Sequence, residues 1–257
     1  LKANMRIVGA TEFAIVLYRD KLPKFNNGRQ IGEDGKPIRG TGKMVFDWFA
    51  WERDGKEIPK IHPTQKPVGV LKRLIEIFTD PGETVIDPCC GSGGMFVQSA
   101  EFVRRHAGNI NDLSIFGQES NPTTWKMATM NLAIRGIDAD LGSCNADTFF
   151  NDLHKNERFD FILANPPFNL KDWGGDRLKD DPRWDYGIPP EGNANFAWVQ
   201  HMVHHLNATG RMGMVLANGS LSSQSGGEGD IRKALVEADL VEGIVAMPDK
   251  LFYSTGI

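Results

Sequence analysis

The stretch IDPCCGSGGMF, residues 86–96, constrains the fold more than any other in this chain. A β-branched run leads into an acid, then a cluster of small residues, then a helical pattern. That is the outline of a strand, a tight turn and a helix N-terminus. The same alternation recurs along the sequence. Strand patterns fall at 12–20 (EFAIVLYRD), 84–87, 113–120, 159–168 and 210–219, with a weak one at 139–147 and a last one at 240–249. Helical patterns fall between them at 94–106, 123–136, 195–206 and 228–239. A further helix is expected in TQKPVGVLKRLIEIFTD, where Val68, Leu71, Leu74, Ile75 and Phe78 keep helical spacing. Residues 21–60 and 169–192 are polar and loop-rich. Strands alternating with helices mean βαβ units, hence an α/β fold with a doubly wound, mainly parallel sheet. In such sheets ligands bind beyond the carboxyl ends of the strands. Asp87, Glu119, Asp147 and Asn165 all fall at those ends.

The bulk numbers exclude some classes. A length of 257 residues suits one large α/β domain. We read 1–257 as a single domain: a late strand in 1–20, a loop-rich excursion in 21–60 as the remnant of a target-recognition region, and a cofactor and catalytic core in 61–257. No apolar run approaches the roughly 18 residues of a membrane span, so no membrane partner is expected. The three cysteines (Cys89, Cys90, Cys144) have neither disulfide-framework nor zinc spacing, which places the chain in the cytoplasm. A net charge of −4 does not mark a nucleic-acid binder, so any basic patch is local or comes from a partner. The chain starts at Leu1 and stops in mid-pattern at LFYSTGI, and reads as a fragment or a fusion.

The glycine turn, Gly91-Ser92-Gly93-Gly94, lets backbone approach a ligand closely. A dinucleotide fingerprint wants a small residue where Phe96 stands, and there is no Gly-Lys-Ser/Thr of a P-loop. Asp87 instead suits a ligand that carries an ammonium group and no phosphate. Glu119 can take both hydroxyls of a ribose, and Asp147 can meet an adenine amine. Together these describe S-adenosylmethionine. Asn165-Pro166-Pro167-Phe168 follows the strand FDFILA. An amine conjugated to a π system is a poor nucleophile. The Asn165 side-chain oxygen and the Pro166 carbonyl can accept both amine hydrogens, and Phe168 can stack on a planar base. Positioning and electrostatics then carry the reaction, and a base in duplex DNA has to be flipped out to reach the site.

Residues from about 87 to 257 resemble the catalytic core of the modification subunit of type I restriction–modification systems. The resemblance rests on DPCCGSGG, GQESNPTTWKMATMNLAIRG, FDFILANPPFN, NANFAWVQHMVHHL, GRMGMVLANGSLSS and the segment from Gly227 to the end. It implies an S-adenosylmethionine-dependent methyltransferase of adenine N6 in DNA, working beside a specificity subunit and a restriction/translocase subunit. Residues 1 to about 88 resemble the C-terminal part of β-class amino-methyltransferases of DNA, through TEFAIVLYRDK and HPTQKPVGVLKRLIEIFTDPGETVIDP. That second resemblance implies a permuted join of two ancestries. The strand at 12–18 then supplies the missing antiparallel strand of a seven-stranded sheet. It also implies that His62, Pro63, Thr64 and Lys66 close over the methionine end of the cofactor. Two other functions stay open: a non-catalytic remnant that folds and binds cofactor, and a methyltransferase of protein glutamine or RNA adenine. His201, His204 and His205 sit at i, i+3, i+4 but lack a following acid in metalloprotease form, so no metal is expected. Trp48, Trp51 and Trp198 read as core. Lys171, Arg177, Lys179 and Arg183, interleaved with acids, read either as a loop closing over a flipped base or as a solvated loop.

Overall fold

A computed structural model describes residues 12–18, 84–105 and 113–247. Six strands form one sheet. They are β1 (Glu12–Tyr18), β2 (Thr84–Asp87), β3 (Ser114–Gly117), β4 (Phe159–Ala164), β5 (Leu206–Ala217) and β6 (Val241–Met247). Four helices join them: α1 (Gly94–Arg105), α2 (Pro122–Ile134), α3 (Asn195–His205) and α4 (Glu228–Glu237). The strand order is β3-β2-β4-β5-β1-β6. β2 pairs in parallel with β3 and β4, and β4 in parallel with β5. β1 runs antiparallel to both of its neighbours, with Ile15 opposite Met214 of β5 and Ile244 of β6. The N-terminal strand therefore enters the sheet between the last two strands, as expected from the sequence. The described residues contribute six strands to it, not seven.

Strand alternation sorts the core into two layers. Ile86, Ile162, Ala164, Met212 and Met214 face α3 and α4. Val85, Ile115, Phe161 and Leu163 face α1 and α2. Asn121 caps α2, its Oδ1 accepting from the Thr123 and Thr124 amides at 2.9 and 3.1 Å, and Pro122 opens the helix where a missing N–H costs nothing. Phe96, too bulky for a dinucleotide fold, is fully buried. Gly117 of β3 makes room for it, because a Cβ there would lie 2.7 Å from the Phe96 ring.

Two expectations are corrected. Residues 139–147 form no strand, only a single bridge from Asp140 to Phe116. Asp140 Oδ1 accepts the Gly142 amide at 2.8 Å, and this turn diverts the chain from the sheet. β5 begins at Leu206 rather than 210, directly after α3. Among the described residues, no helix is long and apolar enough to cross a membrane.

Candidate active site

β2 ends at Asp87, which is buried. Its Oδ1 accepts the Cys89 amide at 3.0 Å. Burial raises the carboxyl to about 7, the Cys89 hydrogen bonds oppose the rise, and the nearby Glu119 charge adds to it. The turn that follows needs Gly91 and Gly93 in the left-handed region, at φ 55° and 80°. The Gly91 amide donates to Glu119 Oε2 at 3.1 Å, and the Asn121 amide to Oε1 at 2.8 Å. Glu119 thus ties the turn after β2 to the turn after β3.

Buried Gln118 organises the next loop. Its Nε2 donates to the Ala146 and Asn151 carbonyls at 3.2 and 2.8 Å, and its Oε1 accepts the Leu153 amide at 3.0 Å. Within that loop, Asp147 Oδ1 accepts the Phe149 and Phe150 amides. Thr148 Oγ1 donates to the Pro88 carbonyl at 2.6 Å. β4 delivers Asn165 at its carboxyl end, and the Asn165 Oδ1 is buried with no hydrogen-bond donor. Immediately after Phe168, Asn169 adopts φ 52°. Buried Asn195 at the start of α3 holds it there, accepting the Asn169 amide and donating to Asn169 Oδ1, both at 2.9 Å.

These loops enclose a cavity of about 830 Å³. Glu119, Asp147, Asn165, Pro166, Pro167 and Phe168 all line it. Asp87, Gly91, Ser92, Gly93 and Gly94 do not; Gly91 bonds to the lining residue Glu119, and Asp87 to the lining residue Cys89. His62, Pro63, Thr64 and Lys66 lie outside the described residues.

The loop at 169–192 divides its cations. Arg177 stacks over the Phe150 ring at 4.1 Å on the cavity wall. Lys179 pairs with Glu191 at the surface. Arg183, read as part of a loop that either closes over a flipped base or is solvated, is buried. Its guanidinium donates to the Thr148 and Phe149 carbonyls at 3.2 and 2.6 Å, to Asp181, and to His201 Nδ1 at 3.0 Å. Sequence reasoning missed this staple, since an Arg among acids looks like any charged surface loop.

Asp152, His201 and His205 offer ligand atoms within 4.8 Å of one another. Three of the four ring nitrogens already have partners. His205 Nε2 meets Asp152 Oδ2 at 2.8 Å and its Nδ1 meets the Glu157 carbonyl at 3.1 Å, while His201 Nδ1 accepts from Arg183. Burial drives the His201 pKa well below its usual value, and His205 and Arg183 add to this. An arginine cation beside an imidazole is poor company for a metal ion, and the group is a hydrogen-bonded core network.

A mainly parallel sheet with one reversed strand beside its last belongs to the Rossmann-like, S-adenosylmethionine-dependent methyltransferases, and that is the class of this fold. Within that class the chain belongs to the N-6 DNA methylase family, whose model matches residues 64–257. The type I restriction enzyme HindI methylase subunit of Haemophilus influenzae is 54% identical over 246 residues, 95% of this chain and 55% of that protein. The MjaIX methylase subunit of Methanocaldococcus jannaschii is 43% identical over 86% of this chain and 40% of its own length. The solved type I restriction–modification methyltransferase subunit from Streptococcus thermophilus is 30% identical, with a TM-score of 0.57, over 70% of this chain and 39% of that one. The chain spans about half the length of the curated relatives it matches. The HindI match runs through most of the segment before residue 88 as well, so one family accounts for both parts and the join of two ancestries is not needed.

Proposed function

We propose that this chain transfers the methyl group of S-adenosylmethionine to the N6 amine of adenine in DNA, as the modification component of a type I restriction–modification system. The observation that carries the reading is the Asn165 side-chain oxygen. It is a buried acceptor without a donor, in the turn Asn-Pro-Pro-Phe, on the wall of a cavity that also holds Glu119 and Asp147. A buried acceptor left unpaired costs about 1–3 kcal/mol, and a substrate amine repays it. The relatives named as type I methylase subunits support the system.

The donor set fits the cofactor. In this reading Asp87 takes the ammonium through the turn after β2, Glu119 the ribose hydroxyls and Asp147 the adenine amine, with left-handed Gly91 and Gly93 keeping side chains out of the way. Bound there, S-adenosylmethionine supplies an electrophilic sulfonium methyl. Asn165 Oδ1 and the Pro166 carbonyl accept the two amine hydrogens, which draws the nitrogen lone pair out of the ring and toward the methyl. Phe168 stacks on the base and fixes its plane. No side chain has to abstract a proton before transfer; orientation and electrostatic stabilisation of the developing positive charge drive the step. The base enters by flipping from the duplex. A specificity subunit that reads the sequence, and a restriction/translocase subunit, complete the assembly.

The test is transfer of a tritiated methyl group from S-adenosylmethionine to DNA, RNA and protein in parallel. Label in DNA, recovered as N6-methyladenine and reduced at least about 100-fold in Asn165→Ala, is expected. Label in RNA or protein alone would refute the DNA reading.

A further inference from the structure

Four tryptophans lie among the described residues. Three donate their indole N–H to a backbone carbonyl: Trp125 to Leu141, Trp173 to Pro190 and Trp184 to Leu178. Trp198 is the fourth. The residue is 5% exposed, its Nε1 is buried, and nothing accepts from it. The ring packs against Phe149 at 4.5 Å between centroids, with His201 at 6.4 Å on the same helix.

Trp198 lines the same cavity as Asn165. Of the buried side-chain polar atoms without a partner among the described residues, only Asn165 Oδ1 and Trp198 Nε1 belong to residues that line it. One is an acceptor and the other a donor. Buried polar groups are otherwise almost always paired, so two complementary orphans on one cavity point to a ligand that completes both. Its edge must offer an amine hydrogen beside a ring nitrogen lone pair.

We propose that Trp198 is a specificity-determining residue for the target base. Its indole N–H donates to the ring nitrogen next to the amine whose hydrogen Asn165 Oδ1 accepts. This rests on the reading of the cavity as a base site. Adenine offers the required pair at N6 and N1, and cytosine offers it at N4 and N3. Guanine, thymine and hypoxanthine present a carbonyl and a ring N–H there, which sets acceptor against acceptor and donor against donor. The pair of residues selects amino bases and rejects keto bases, a choice that Asn165 alone makes only at one atom.

The experiment uses the chain labelled with nitrogen-15 at its six tryptophan indoles. It is loaded with S-adenosylhomocysteine, which cannot transfer a methyl. Short single-stranded thymidine oligomers carrying one adenine, one cytosine or one hypoxanthine are titrated in, and Trp198→Phe assigns the resonance. The Trp198 indole proton is expected to move downfield with the adenine and cytosine oligomers and not with the hypoxanthine one. Affinity for the adenine oligomer exceeds that for the hypoxanthine oligomer about tenfold or more, and Trp198→Phe narrows that difference to the part that Asn165 alone supplies, without changing cofactor affinity. Three results would overturn the proposal: equal affinity for adenine and hypoxanthine, no movement of the Trp198 resonance with any oligomer, or its full downfield shift on adding S-adenosylhomocysteine alone. Should Trp198→Phe fail to fold, single Trp→Phe changes at the other five positions assign the resonance by elimination, and the wild-type titrations decide. Failure to bind S-adenosylhomocysteine would bring down the function reading along with this one. Cofactor binding without base discrimination brings down this one alone.

Discussion

Asp87 carries the clearest pH signature in the chain. Burial holds its carboxyl at about 7 in the folded state, against an ordinary value near 3.8. A raised carboxyl favours the protonated form on folding. Its contribution to stability is therefore present below about pH 4 and is lost as pH rises through about 7. Binding of an ammonium has the opposite sign, since it needs the carboxylate. Affinity for S-adenosylmethionine is expected to rise between about pH 6 and pH 8 in calorimetric titrations, and the rise should vanish in Asp87→Asn. Gly117 makes a purely steric prediction. A methyl group there meets Phe96 and Leu141 at 2.7 and 2.8 Å inside a packed layer. Gly117→Ala is expected to cost about 1–3 kcal/mol in denaturant unfolding. The reading of Phe96 shows what a sequence conceals at this scale. Its bulk excluded a dinucleotide turn, but the glycine that accommodates it lies on another strand, and no local pattern links the two.

At the scale of the element, the loop from Asp147 to Phe149 is a wall built by its neighbours. Gln118 holds it from one side and Arg183 from the other. Arg183→Ala leaves two carbonyls and the His201 ring without their donor and strands the Asp181 carboxylate. A loss of about 3 kcal/mol is expected by thermal or chemical unfolding, with a weaker cofactor site in the fraction that folds. Arg183→Lys keeps the charge but not the fork and should recover only part of the loss. Asp152, on the far side of His201, gives a pH test. Burial alone would raise it, but hydrogen bonding from His205 holds it at about 2. Its contribution is present above about pH 4 and is lost as pH falls toward 2. Acid unfolding of Asp152→Asn should accordingly show a shallower midpoint shift than the wild type. The elements with strong local signals were legible: the strand and glycine turn at 84–94, the strand into Asn165, and helix α3. Residues 139–147 misled because alternation survives in a segment whose Asp140 turn breaks the ladder. Arg183 was opaque because its role depends on partners far along the chain.

For the whole molecule the telling strand is β1. Among the described strands it alone connects β6 to the rest of the sheet. A proline at Ile15 removes a ladder donor in the middle of a central strand. Ile15→Pro should raise amide exchange across β6 and along β5 well beyond that of β2 and β3. Equal protection everywhere would refute the assigned pairing. The insertion was foreseeable because residues 12–18 form an apolar, β-prone segment that resembles a late sheet strand. What the sequence did not reveal was that one type I relative spans both ends.

The position of β1 also sets a timetable. It is synthesised before the partner it needs in β5, which follows about 200 residues later. A nascent chain therefore carries an apolar segment with no ladder to join until β5 has been made. Slow translation exposes that segment for longer, and a chaperone that covers residues 12–18 should raise the yield of folded protein more than one that covers β6.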